Sequence, residues 1–165
     1  MPSIINGSSN FNTASSVLQQ VYVDRSDLFT GTTLLPIDDT IPQITEGDQI
    51  FTLTITPKLS SSILLLQLTM YATTGSNRFI YGAAVFRDGA SNAICAGVNR
   101  FPTDSQPSAM SLQYRTTSNS TAATTFTVRA GTNLGAANFF LNGTATNRLF
   151  GGVLYSSFSI TEIAA

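Results

Sequence analysis

From Phe51 to Thr56 a large apolar residue alternates with threonine at every step. A period of two puts three apolar side chains on one face and three hydroxyls on the other, which a half-buried strand accommodates and a helix does not. Ile63–Tyr71 opens as a continuous apolar run and then alternates, the pattern of a strand that passes from cover on both faces to cover on one. Phe79–Arg87, Ala93–Val98, Met110–Arg115, Thr125–Arg129, Asn138–Leu141 and Val153–Ile163 extend the series. With Gln20–Val23 and a short piece near Thr32–Leu35, the pattern predicts about ten strands. No segment keeps a helical period over ten residues, and there are no heptads and no internal repeat.

The punctuation between these segments fits the same fold. Asp88-Gly89 and Asn142-Gly143 accept the positive φ of tight hairpin turns. Pro36, Pro42, Pro57, Pro102 and Pro107 fall between predicted strands, where a missing N–H removes no ladder bond. Ser, Thr and Asn supply 19, 23 and 11 of the 165 residues, a strand-and-turn composition. The expected fold is all-β, an antiparallel two-sheet jelly-roll sandwich over residues 20–165 with a single core. A lone cysteine rules out the inter-sheet disulfide of antibody domains. Residues 1–19 place isolated apolar side chains, Ile4, Ile5, Phe11, Val17 and Leu18, among Asn and Ser with no period, and are expected to form an arm that contacts a partner.

Composition removes much chemistry. The chain has no histidine, so Ser-His-Asp and Cys-His nucleophile systems and His-containing zinc sites are excluded. Cys95 is the only thiol, too few for an internal disulfide or a multi-cysteine metal site. Eight basic side chains against nine acidic ones, with one lysine, Lys58, give no basic stripe for a nucleic acid or an anionic membrane. The longest aliphatic run, Ile63–Leu66, is far short of a membrane span. Met1–Gly7 has neither the basic nor the apolar region of a secretory leader, so release from a cytoplasm is expected. With only 10% charged residues, the surface is of the kind found on chains that bury themselves in an assembly.

Carboxylates are the only catalytic groups present in quantity. Asp38-Asp39, Glu46 with Asp48, and Asp24 with Asp27 are the pairs, and turn capping is the expected role of each; neither Asp24–Asp27 nor Glu46–Asp48 has the acidic spacing of a calcium loop. No enzyme activity, cofactor or metal is expected. The Asn-X-Ser/Thr triplets at Asn6, Asn119 and Asn142 are about as many as chance gives in so Ser- and Thr-rich a chain. Cys95 lies in an apolar run and is expected to pack. Tyr71, Tyr81, Tyr114 and Tyr155 fall within predicted strands as core or subunit contacts. If a host surface glycan is bound, Asn77, Arg78, Asn99, Arg100 and Asp104 are the polar side chains in loops long enough to hold it.

Pro36–Gln43 with Glu46-Gly47-Asp48, Ile55–Lys58, Ala84–Asp88, Thr125–Gly131, Arg148–Val153 and Ile160–Ile163 together resemble a family of tailed-phage virion proteins. The resemblance runs from about Gln20 to the C-terminus. It implies a trimeric jelly roll akin to tumour-necrosis-factor and C1q heads, found as small stand-alone proteins and as fibre C-terminal domains. It brings no catalytic motif. Arg148 and Phe150, beside two glycines, are expected at a subunit contact. An arm of some 19 residues offers short reach, so a capsid decoration or cement protein on the virion head, bound to the major capsid protein, is expected ahead of a tail-fibre tip that reads host glycans.

Overall fold

The computed structural model describes residues 16–74, 80–100, 106–134 and 138–165. Among these the strands are β1 (Val17–Arg25), β2 (Phe29–Gly31), β3 (Asp48–Ile55), β4 (Ile63–Thr74), β5 (Ile80–Arg87), β6 (Cys95–Arg100), β7 (Ser108–Thr117), β8 (Thr124–Thr132), β9 (Phe139–Leu141) and β10 (Ser156–Ile163). A three-residue 3-10 turn, Phe150–Gly152, precedes the last.

Twelve-residue β4 is the spine of the first sheet. Along one edge it pairs with β7 from Ile63 to Ala72. On the other edge β10 runs from Ile63 to Thr69 and β9 continues from Ala72 to Thr74. β1 adds to β10, and β2 adds to β9. The second sheet has the order β3-β8-β5-β6. Every pairing is antiparallel, and the chain crosses between sheets after β2, β3, β4, β6, β7 and β8. This is the jelly-roll sandwich that the alternation predicts. The core lies between the sheets, with Leu64, Leu66, Leu68 and Met70 of β4 facing Tyr81, Ala83 and Val85 of β5 and Phe126, Val128 and Ala130 of β8.

Three of the differences from the sequence reading have a local cause. β1 begins at Val17, where Val17 pairs with Ile163 and the Ser16 carbonyl accepts from Ala164 N–H at 2.9 Å. A register shift between Val17 and Gln19 interrupts the period there, so Val17 and Leu18 read as arm although they belong to the strand. The piece near Thr32–Leu35 is not a strand: β2 ends at Gly31, and the Asp48 carboxylate takes the N–H groups of Thr32 and Thr33 at 2.7 and 2.8 Å. β10 starts at Ser156 rather than Val153, because Val153 closes the preceding turn in a helical conformation (φ −92°, ψ −7°), its N–H donating to Phe150 O at 3.1 Å. Tyr155 therefore lies outside the strand and is 55% exposed.

Over β8 and β5 the outer side of the second sheet is covered by the chain itself, while Val98 of β6 stays 58% exposed. Residues 32–47 lie across it as a strap. Gly131 and Gly82, directly paired, leave bare backbone there. A Cβ on Gly131 would come within 2.5 Å of the Thr33 carbonyl, so only glycine lets the strap approach. Leu35 packs into that space and is 3% exposed. Leu35 N–H donates to Thr132 O at 3.0 Å, Gly47 N–H to Leu34 O at 2.8 Å, and the Arg129 guanidinium to the carbonyls of Glu46 and Gly47 at 2.8 and 2.7 Å. Ala84 and Phe86, which face away from the core, are fully buried as a result.

Candidate functional site

Among the described residues no such strap lies over the outer face of the first sheet. Because side chains alternate across a strand, the residues opposite the core set form straight rows over it. One row is Val17, Ile163, Ile63 and Thr117; another is Tyr22, Ser159, Gln67 and Gln113. A third is Asp24, Ser157, Thr69 and Ser111. Hydroxyls, amides and aliphatic side chains make up the face, and its formal charges among the described residues are Asp24 near the β1 edge and Arg115 on β7. Tyr22 is 71% exposed and Val17 64%.

Two hollows lie on this face, each of about 310 Å³. One, lined by Thr69, Tyr71, Ser157 and Val153–Tyr155, sits where β10 begins; the other, lined by Ile63, Arg115, Thr116 and Thr117, is at the opposite end of β4. Beside the first hollow the 150–155 turn projects Phe150 and Val153, which are 75% and 80% exposed. Phe150 has a φ of 50°; Asp88, Asn119 and Asn142 also have positive φ, but short polar side chains tolerate it. Phe150 does not belong to that class, so its backbone is strained. The Arg148 guanidinium lies against Gly152, where a Cβ would stand 2.6 Å from Nη1.

Two buried polar clusters tie β10 and the end of β9 to β1 and the neighbouring loops. Glu162 on β10 is fully buried and accepts from the N–H groups of Lys58 and Leu59 at 2.8 and 3.2 Å, the Ser62 hydroxyl at 2.6 Å and the Gln19 amide at 2.6 Å. Burial pushes its carboxyl up, but these donors together outweigh that and hold it below the usual range. Asn142, also fully buried, donates to the carbonyls of Arg25 and Asp27 at 2.9 and 3.3 Å and accepts from the Ser156 hydroxyl at 2.7 Å. Sequence reasoning missed Glu162 altogether. Asn142-Gly143, read as a hairpin turn, does place Asn142 at positive φ ahead of the Gly143–Arg148 bridge, and the Asn142 side chain is in addition an internal tie. Asp88-Gly89 makes the predicted turn, with φ of 51° and 72° and Ala90 N–H donating to Arg87 O at 3.0 Å.

The structure separates the other candidate residues. Val17, Arg148 and Phe150 are exposed and Leu18 is half-buried, while Ile4, Ile5 and Phe11 lie outside the described residues. Of the glycan set, Asn77, Arg78 and Asp104 also lie outside the described residues. Asn99 is not free for a ligand: its amide donates to Ala109 O at 2.6 Å and Ser108 Oγ at 3.1 Å, and its carbonyl takes Arg100 N–H at 2.7 Å. Arg100 is exposed. Asp38 accepts from Thr40 N–H and hydroxyl at 2.8 and 2.5 Å, which hold its carboxyl below the usual range. Glu46 accepts from Gln43 N–H at 2.8 Å, and Asp27 pairs with Arg25 at 2.5 Å, which lowers the Asp27 carboxyl. Cys95 is half-buried, and burial pushes its thiol up to about 12. Tyr71 and Tyr114 lie on strands and Tyr81 is buried in the core.

No protein-family model matches the chain, and no curated protein matches it. Among solved structures it is similar to the sugar-binding EclA C-terminal domain, at 10% identity and TM-score 0.38, over 86% of this chain and 85% of that one. It is also similar to the structure of infectious bursal disease virus, Gx strain, at 12% identity and TM-score 0.43, over 100% of this chain and 43% of that one. A third likeness is to the enzymatically active domain of bacteriophage CBA120 tailspike protein 4, at 11% identity and TM-score 0.32, over 79% of this chain and 20% of that one. At these scores none of the three bears on what this chain does.

Proposed function

We propose that this chain is a structural protein of a phage virion surface: a jelly-roll subunit that assembles as a homotrimer on the head, contacts the major capsid protein and ties adjacent capsomers together. The observation that carries the reading is the outer face of the first sheet, uncovered and nearly uncharged among the described residues and bordered by Phe150 and Val153. A surface of that kind is typical of one buried in an assembly. The resemblance of Pro36–Gln43, Ala84–Asp88 and Arg148–Val153 to tailed-phage virion proteins supports the same reading. No catalytic step belongs to it.

The test is the copy number of the protein in purified virions, measured against the major capsid protein, because symmetry ties copy number to position. Copies on the order of hundreds are expected for a decoration protein. A few to a few tens would overturn the head assignment and favour a tail-fibre tip that reads host glycans. Deleting residues 1–15, which leaves β1 intact, is expected to preserve the folded domain and abolish head binding.

A further inference from the structure

One dipeptide that the fold demands is also chemically labile. Asn142 has φ of 60°, which favours asparagine, aspartate or glycine, and a Cβ on Gly143 would stand 2.5 Å from Asn147 O and 2.9 Å from Arg148 Cα, which leaves only glycine. Asparagine followed by glycine loses its side-chain amide more readily than other pairs. The glycine nitrogen, with no side chain beside it, bonds to the asparagine Cγ, the Cγ–Nδ2 bond breaks and ammonia leaves. Water then opens the cyclic imide to aspartate or isoaspartate. We propose that Asn142-Gly143 is a deamidation site that folding closes and that decides refolding: the native structure shields it, and a chain that reacts there while unfolded does not regain the native tie.

The shield is built from burial and from bonds on every side. Asn142 and Gly143 are both buried, which keeps base from the Gly143 nitrogen and water from the imide. The Asn142 side chain is held at both ends, Nδ2 by the carbonyls of Arg25 and Asp27 and Oδ1 by the Ser156 hydroxyl. The backbone is pinned as well: Asn142 N–H donates to Tyr71 O at 2.9 Å, Asn142 O accepts from Leu149 N–H at 2.9 Å, and Gly143 O accepts from the Thr73 hydroxyl at 2.6 Å. Cγ cannot swing onto the Gly143 nitrogen without breaking these bonds.

The same contacts accept an amide and reject its products. Ser156 Oγ takes the Tyr71 N–H at 3.1 Å, so its own proton points to position 142 and needs an acceptor there, whereas the two carbonyls need a donor. An ionised aspartate sets an anionic oxygen against both carbonyls in a buried site, and a protonated one serves a single carbonyl. Isoaspartate lengthens the main chain by one carbon where Asn142 N–H and O are both paired. Time spent unfolded therefore makes loss of the subunit irreversible.

The experiment holds the full-length protein at mildly alkaline pH with and without guanidinium chloride and follows deamidation by peptide mapping. Asn6-Gly7, the same dipeptide outside the described residues, is the internal reference. Similar rates at the two sites are expected in denaturant, with Asn142 slowed on the order of a hundredfold or more in the native protein, where reaction waits for unfolding. After removal of denaturant, chains deamidated at Asn142 are expected to be depleted roughly tenfold in the folded fraction, and chains deamidated at Asn6 to be shared evenly. Native Asn142 that reacts as fast as in denaturant, or Asn142-deamidated chains that refold as well as those altered at Asn6, overturns the proposal. If the unmodified chain does not refold, Asn142→Asp and Asn6→Asp made directly decide: a lower melting temperature or no folded protein for Asn142→Asp alone supports the proposal, and equal melting overturns it.

Discussion

The two sheets carry similar strands and opposite coverings. On the second, paired glycines Gly82 and Gly131 let residues 32–47 lie flat, and Leu35, Ala84 and Phe86 are sealed beneath. On the first, the central rows carry hydroxyls and amides, and Tyr22, Val153 and Phe150 remain open. Among the described residues, the chain covers the middle of one outer face and leaves the other uncovered. The covered face contributes to the stability of the subunit; the uncovered face is the one proposed for contact.

Mutations can break or sharpen that contrast. The largest effect is expected from Leu35→Ala, which empties a site 3% exposed under the strap. A loss of about 3 kcal/mol is expected, within the range for large-to-small core changes, and chemical denaturation checks it. Gly131→Ala drives a Cβ into the Thr33 carbonyl and Leu35, so the strap must lift, at about 2 kcal/mol by the same measurement.

Glu162→Gln removes the charged acceptor of four donor groups, with an expected loss of about 2 kcal/mol. The pH dependence follows from its sign. The folded carboxyl is held below the ordinary value of 4.5, so its contribution is complete above that value and is lost as pH falls through the folded one. Asp27 and Asp38 act in the same direction from 3.8. Melting temperature is therefore expected to be flat from neutral pH to about 5 and to fall below about 4, less steeply in Glu162→Gln.

The smallest effect on subunit stability is expected from Tyr22→Ala, within about 0.5 kcal/mol for the dissociated protein. A loss above about 2 kcal/mol in that state would mean that Tyr22 serves its own subunit and would erase the contrast.

Much of the fold is legible in the sequence because alternation is a local signal: Phe51–Thr56 and Asp88-Gly89 fall where their pattern puts them. The cover on the second sheet is not local. Phe86 is buried on a strand face that looks outward, and nothing near it in the chain says that Leu35 and its neighbours lie over that sheet. Glu162 is equally silent, since its donors come from residues 19 and 58–62, far along the chain. The exposed turn was half readable: Arg148, Phe150 and two glycines marked a special place, but Val153 and Tyr155 followed the period of a strand and masked where it ended. Asn99 was unreadable for a related reason: a polar residue of a predicted loop lies on β6, with its amide bonded to β7.

The central claim is that the middle of one outer face is covered by the chain itself, whereas the other is the face proposed for contact between subunits of the assembly. Amide hydrogen exchange of the wild-type protein, at concentrations on either side of association, tests it most directly. The account predicts slower exchange with rising concentration in β1 and residues 150–155, and no change in residues 34–42. Protection that is independent of concentration in β1 and the turn, or that appears on the strap instead, would contradict it.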